Sequence, residues 1–185
     1  MKTTTLRKIE KWRPSKDMWD VLLGALGKSE ADDEPLPYSR ILEICELHDA
    51  IWATRTEEDF EWVQELALSF GRHIQHLMAD PRSVEVLEVA EFYLRGEASR
   101  EEMKEALKDA YDAANTSPYT ATTAAAYAAY AAVDAASSVS AYSSNYAANE
   151  AALTAHTASE AAYSSESSES DERAWQEAEF RRVVG

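Results

Sequence analysis

His73 and His76 stand three residues apart in a segment that reads as helix, a spacing that puts two imidazoles on one face and suits metal chelation. No third ligand is placed beside them and no H-E-x-x-H pattern occurs, so the pair reads as surface or structural histidines. Asp32, Asp33 and Glu34 form an acidic loop that could hold a cation or a basic group of a partner. Its blander reading is a solvated turn whose charge favours a following helix N-terminus. Pro35 and Pro37 stiffen the segment, which lowers the ordering cost of binding and keeps it a candidate. Cys45 lies among Ile41, Leu42, Ile44 and Leu47 and reads as a buried, inert thiol, because reactivity needs an electropositive setting. There is no G-x-S-x-G elbow, and the five glycines form no phosphate-cradling loop. Nothing nominates a catalytic residue, so no enzyme, no metal site and no cofactor is expected.

The elements around these residues read as helices. Ser15 suits an N-cap, Met18, Trp19, Leu22, Leu23 and Leu26 share one helical face, and Gly27 follows as a natural C′ residue. Residues 28–37 read as loop, a short helix resumes near Ser39, and another covers Asp49 to Thr54. Thr56-x-x-Asp59 resembles a capping box ahead of a long amphipathic helix running from Phe60 through Leu77. Asp80-Pro81 ends that helix, and Ser83 is expected to cap the next, which buries Val86, Leu87, Ala90 and Leu94 and stops at Gly96. Ser99-x-x-Glu102 is a proper capping box for a helix carrying Met103, Ala106, Leu107 and Ala110. No segment alternates apolar and polar residues between turns, so no strand is expected.

The chain has 185 residues, enough for a real core, and 18 Lys plus Arg stand against 34 Asp plus Glu, a formal charge of −16. That balance disfavours binding nucleic acid through its phosphates. One cysteine excludes an internal disulfide framework. Met1 to Trp12 lacks an apolar stretch, so no signal peptide is expected, and the longest apolar run, Ala124 to Val133, is too short to span a bilayer. A soluble protein of a reducing compartment is the expectation.

From Tyr111 onward Ala, Ser, Thr and Tyr dominate, and Leu153 is the one leucine of this half. Alanine is the strongest intrinsic helix former, so the low complexity predicts helix rather than disorder. Serines near Ser137-Ser138 or Ser143 to Asn145 predict a break, with the helices folding back on each other or on the first part of the chain. Ser164 to Ser170 reads as linker, before a last short helix holding Trp175, Ala178 and Phe180. The expected organisation is all-α: a compact multi-helix domain over residues 1–110, then an Ala/Tyr/Ser-rich helical extension over 111–185, a hairpin or long helices packed on that domain.

Leu26-Gly27-Lys28, Ala31-Asp-Asp-Glu-Pro-Leu-Pro37, Ile41-Leu42-Glu43 and Leu47-His-Asp-Ala-Ile-Trp52 together resemble a family common in phages and prophages. Its members are often labelled immunity proteins, by analogy with the antidotes of bacterial toxins. The resemblance continues through Arg72-His-Ile-Gln-His-Leu-Met78, Asp80-Pro-Arg-Ser83 and Val89-Ala-Glu91 and includes the Ala-rich tail. Family motif positions map onto Asp32, Asp33, Glu34, Asp49, Trp52, Arg72, His76, Asp80 and Arg82. The tail departs from the family: Tyr, Ser and Thr replace many of its Trp, Asp and Arg residues, and no Lys or Arg occurs from Ala110 to Glu172.

The resemblance, the acidity and the lack of catalytic motifs point to a stoichiometric inhibitor acting in the cytoplasm of a bacterial host and blocking a toxin or a defence protein. An acidic antidote attracts a basic target over distance. The candidate partner-binding residues are Asp32, Asp33, Glu34, Asp49, Trp52, Tyr127, Tyr130, Tyr142 and Tyr146, aromatic anchors with an acidic rim. One rival reading is an acidic DNA mimic that blocks a nucleic-acid-binding defence enzyme, using the acids of Asp32–Glu34, Glu57–Glu61, Glu85–Glu91 and Glu97–Asp109. Another is a small-molecule site, either a sponge for a nucleotide signal or a metal-dependent hydrolase, in which Asp32, Asp33, His73 and His76 would have to meet. A fourth is self-association through the small-residue tail. No contact with nucleic acid or membrane is expected.

Overall fold

The computed structural model describes residues 1–116, 131, 143–164 and 169–185. The fold is all-α, with one very small antiparallel sheet. Strand β1 (Thr3–Thr4) pairs with β2 (Leu36–Pro37) in the register Thr3↔Pro37 and Thr4↔Leu36. This corrects the expectation of no strand. Two residues are too few to show alternation, and the pairing joins residues 32 and 34 positions apart, so no local pattern announces it. The Lys2 N–H also donates to the Val184 carbonyl at 2.6 Å, so the start of the chain is fastened to its end.

Helix α1 (Leu6–Lys11) is capped by the Thr5 hydroxyl, which accepts from the Lys8 N–H. Helix α2 (Lys16–Leu26) begins as expected at Ser15, whose hydroxyl accepts from Met18 N–H at 3.2 Å. It ends in a Schellman turn: Gly27 adopts φ 66°, and Lys28 N–H reaches back to the Leu23 carbonyl. Helices α3 (Tyr38–Ile44) and α4 (Leu47–Ala53) follow, then a 3₁₀ turn over Thr54–Thr56.

Helix α5 (Glu61–His73) is shorter than the predicted run to Leu77; Gln75–Leu77 is a separate 3₁₀ turn. Thr56 does not cap it. The Thr56 hydroxyl instead lies 2.6 Å from that of Thr4 and 2.8 Å from that of Tyr38, and donates to the Ala53 carbonyl. Burial wins here: a hydroxyl with three buried partners is worth more inside than at an exposed helix start.

Helix α6 (Pro81–Leu94) is capped by Asp80, with Pro81 in the first turn. Asp80, not the expected Ser83, is the cap; Ser83 is fully buried one turn in. Proline at the first helical position fixes the boundary there, because its ring is already set for the helix and it has no N–H to satisfy. Helix α7 (Arg100–Thr116) opens on the predicted reciprocal box: Ser99 N–H donates to Glu102 Oε2 at 2.7 Å and Glu102 N–H donates to the Ser99 hydroxyl at 3.2 Å.

Helix α8 (Ser143–Ser164) begins at the serine cluster where a break is predicted. Helix α9 (Glu169–Val184) is longer than the short helix expected, and Ala178 faces out. Ala147, Ala151, Ala155, Ala158, Ala161 and Ala162 are buried along α8, which packs most extensively on α5. Each alanine buries little, but the absent side chains let the two backbones approach closely. One core cluster joins Leu22, Ile41, Ile51, Val63, Leu66 and Phe70 to Ala147, Ala151, Phe180 and Val184. A second joins Leu68, Ile74, Val86, Leu87, Met103 and Ala110 to Ala158 and Ala161. The alanine helix is thus shared by both clusters. No helix among the described residues is long and apolar enough to cross a membrane.

Candidate functional site

The acidic loop is engaged with its own chain. Lys28 donates to Asp32 and, at 2.6 Å, to Glu34; Arg7 Nε donates to Asp33 at 2.9 Å. The Arg7 guanidinium also donates to the Ala31 carbonyl, so α1 clamps the loop. The Asp32 carboxyl is held below its ordinary value by the Lys28 ammonium, and by the Glu34 N–H that it accepts. Three carboxylates against two cations leave one net negative charge, with Asp33 and Glu34 exposed.

Asp49 lies in the first turn of α4, its carboxylate 3.7 Å from the neighbouring His48, whose ring pKa that carboxylate raises. Trp52 is half-buried against the core, and the Arg55 guanidinium covers its ring at 4.7 Å. Tyr146 falls on α8; Tyr127, Tyr130 and Tyr142 lie outside the described residues. Cys45, beside a recess of about 510 Å³ between α4, α8 and α9, has its thiol pushed up to about 11 by burial and by the nearby Asp49. It therefore stays protonated at neutral pH, but it is half-buried at the core's edge rather than buried as expected.

His73 and His76 do not form a metal site with the loop acids. His73 Nδ1 lies 2.7 Å from Glu172 Oε2 of α9, and its ring stacks on Trp175, centroids 3.6 Å apart and planes at 5°. His76 is exposed, its Nδ1 3.2 Å from the His73 carbonyl. Among the described residues no three His, Cys, Asp or Glu side chains converge in a way that could hold a metal ion. Phe70 meets Trp175 edge-on at 6.2 Å, and buried Glu172 also accepts from Gln176 at 3.0 Å. The inward stripe of α9 is Glu172, Gln176, Phe180 and Val184, at four-residue spacing. Sequence reading missed this stripe because its first half is polar.

Arg72 donates from Nε to Glu91 at 2.6 Å and from Nη1 to Gln75, tying α5 to α6. Arg82 forks onto Asp80 at 2.6 to 3.1 Å and so serves the cap of α6. A recess of about 600 Å³ lies between α5, α6 and α9, with Leu68, Leu94 and Trp175 as its apolar walls.

The other side of α6 carries a different surface. Between α6 and α7 runs a groove of about 290 Å³ floored by Val86, Val89 and Ala106, with Phe92 45% exposed at its side. Five carboxylates line it: Glu85, Glu97, Glu102, Glu105 and Asp109. Glu97 is paired with Arg95, and Glu102 is spent on the capping box, whose Ser99 N–H and hydroxyl lower its pKa. Glu85, Glu105 and Asp109 make no hydrogen bond or ion pair among the described residues. The acid clusters are visible in the sequence; nothing local in it marks Phe92 among them as exposed. This groove brings together unspent carboxylates and an apolar anchor, which the acidic loop does not.

No family model, curated protein or solved structure matches the chain.

Proposed function

We propose that this protein is a stoichiometric inhibitor of the immunity or phage anti-defence kind, which binds a basic protein target and blocks it without performing a reaction. The observation that supports this most is the groove between α6 and α7. Three carboxylates that make no hydrogen bond or ion pair among the described residues stand, with Arg82 beside them, around an apolar floor with a half-exposed phenylalanine. Desolvated aromatic anchors concentrate binding energy, and a ring of charge excludes the wrong partners and speeds the encounter. The formal charge of −16 extends that attraction beyond the groove. A partner segment bearing Lys or Arg around one or two apolar side chains is the complement. The resemblance to phage-borne immunity proteins supports the same reading. In it the loop of Asp32, Asp33 and Glu34 is a minor contact, because its charge is largely spent on Lys28 and Arg7.

The test is affinity capture from a bacterial lysate with the natural chain and with the triple variant Glu85→Gln, Glu105→Gln, Asp109→Asn. The expected result is a basic protein recovered in equimolar amount by the natural chain and depleted tenfold or more by the variant, a loss of about 1.4 kcal/mol or more. Equal recovery by both, or no protein recovered, contradicts the proposal.

A further inference from the structure

The recess between α5, α6 and α9 sets two arginines beside two carboxylates, Glu65 and Glu91, and so is less acidic than the rest of this surface. Two arginines of neighbouring helices, Arg72 and Arg95, line it beside the ring of Trp175. Arg72 is held by two contacts, Nε to Glu91 and Nη1 to Gln75, so its guanidinium is oriented and its Nη2 has no partner among the described residues. Arg95 donates only from Nε, to Glu97 at 3.2 Å, and lies over the Phe92 ring at 4.8 Å. Both of its terminal nitrogens are likewise without a partner among the described residues. Elsewhere Lys28 is spent on two carboxylates and Arg82 is forked onto one. Pre-oriented guanidinium nitrogens are the standard means of taking a carboxylate or phosphate, and fixing them in advance reduces the ordering cost.

The walls add a second requirement. Trp175 and His73 are stacked into one aromatic slab, and Leu68 and Leu94 face the same space. A planar apolar group would be covered on such walls. Ser69, whose Oγ donates to the Leu66 carbonyl, and Glu65 add polar groups to the lining, Glu65 as an acceptor for a donor on the ring. A volume of about 600 Å³ accepts a ring joined to one anionic group. We infer that this recess is a binding site for a small aromatic anion, a planar ring carrying one phosphate or carboxylate, with Arg72 and Arg95 taking the anion and the Trp175 side taking the ring. The recess and the α6–α7 groove share no lining residue, although Arg95 of the recess touches Phe92 and Glu97 of the groove.

The experiment is isothermal titration calorimetry of the full chain with AMP and indole-3-carboxylate, which carry ring and anion together, and with adenosine and inorganic phosphate, which carry one each. The expected result is saturable one-to-one binding of AMP or indole-3-carboxylate, with adenosine and phosphate at least tenfold weaker. Arg95→Gln, on an exposed helix end, should weaken binding tenfold or more; Arg72→Lys, which keeps the charge but not the fork, should weaken it less than that. Arg40→Gln, remote from the recess, should change nothing. No saturable binding of either ring-bearing anion overturns the assignment. So does phosphate binding as tightly as AMP, or an Arg95→Gln variant that binds unchanged.

Discussion

Asp80 shows how much one side chain does at a helix boundary. Its Oδ1 accepts the Arg82 N–H at 3.0 Å as a cap, and its carboxylate takes the Arg82 guanidinium. Those contacts hold its pKa below the ordinary aspartate value. The stabilisation is therefore complete above about pH 4, the unfolded value, and is lost as pH falls through the lower folded value. Asp80→Ala should cost about 1 kcal/mol at neutral pH in urea unfolding. The difference from the natural chain should shrink as the medium is made strongly acidic, and a difference that grows there would contradict the assignment. Asp80→Asn, which keeps the cap acceptor, should cost less.

At the scale of elements, α8 is where composition and packing meet. Its buried alanines are a steric requirement: Ala151 is fully buried against the core, whereas Leu153 is 42% exposed. Leucine and alanine are both good helix formers, so exchanging them separates packing from propensity. Ala151→Leu should destabilise by about 1–3 kcal/mol through overpacking, while Leu153→Ala should stay within about 0.5 kcal/mol in thermal or urea unfolding. Equal effects at the two positions would mean that α8 does not sit on α5 as described.

The same elements show what was legible in the sequence. Ser15, Gly27 and the Ser99–Glu102 box act within five positions, so spacing alone finds them. Thr56 and Ser83 carry the same local signature and fail. Thr56 is drawn to Thr4 and Tyr38, 52 and 18 positions away, and Ser83 lies past the proline that starts α6. The His73–Glu172 contact spans 99 positions, and no periodicity encodes it. Of the site, the acid clusters on α6 and α7 were readable, because charge is a property of composition. Which carboxylates remain unspent was not, because that depends on where Lys28, Arg7 and Arg95 fold.

Across the whole molecule, charge and shape act together. A chain carrying −16 meets a basic partner by long-range attraction, so the association rate should fall tenfold or more between low salt and about 0.5 M salt, with a smaller change in dissociation. Stopped-flow measurement with the captured target reads both. A salt-independent association rate would remove electrostatics from the account. The two surfaces flanking α6 divide the labour proposed here: carboxylates and Phe92 on the α7 side for a basic protein segment, arginines and Trp175 on the α5 side for an aromatic anion.

The most direct test of the inhibitor reading is hydrogen–deuterium exchange on the complex with the captured target. Protection gained on binding should concentrate in peptides covering Glu85 to Phe92 and Ala98 to Asp109, the two walls of the groove. Protection confined to the loop of Asp32 to Pro37, with the α6–α7 walls exchanging as in the free chain, would contradict the account.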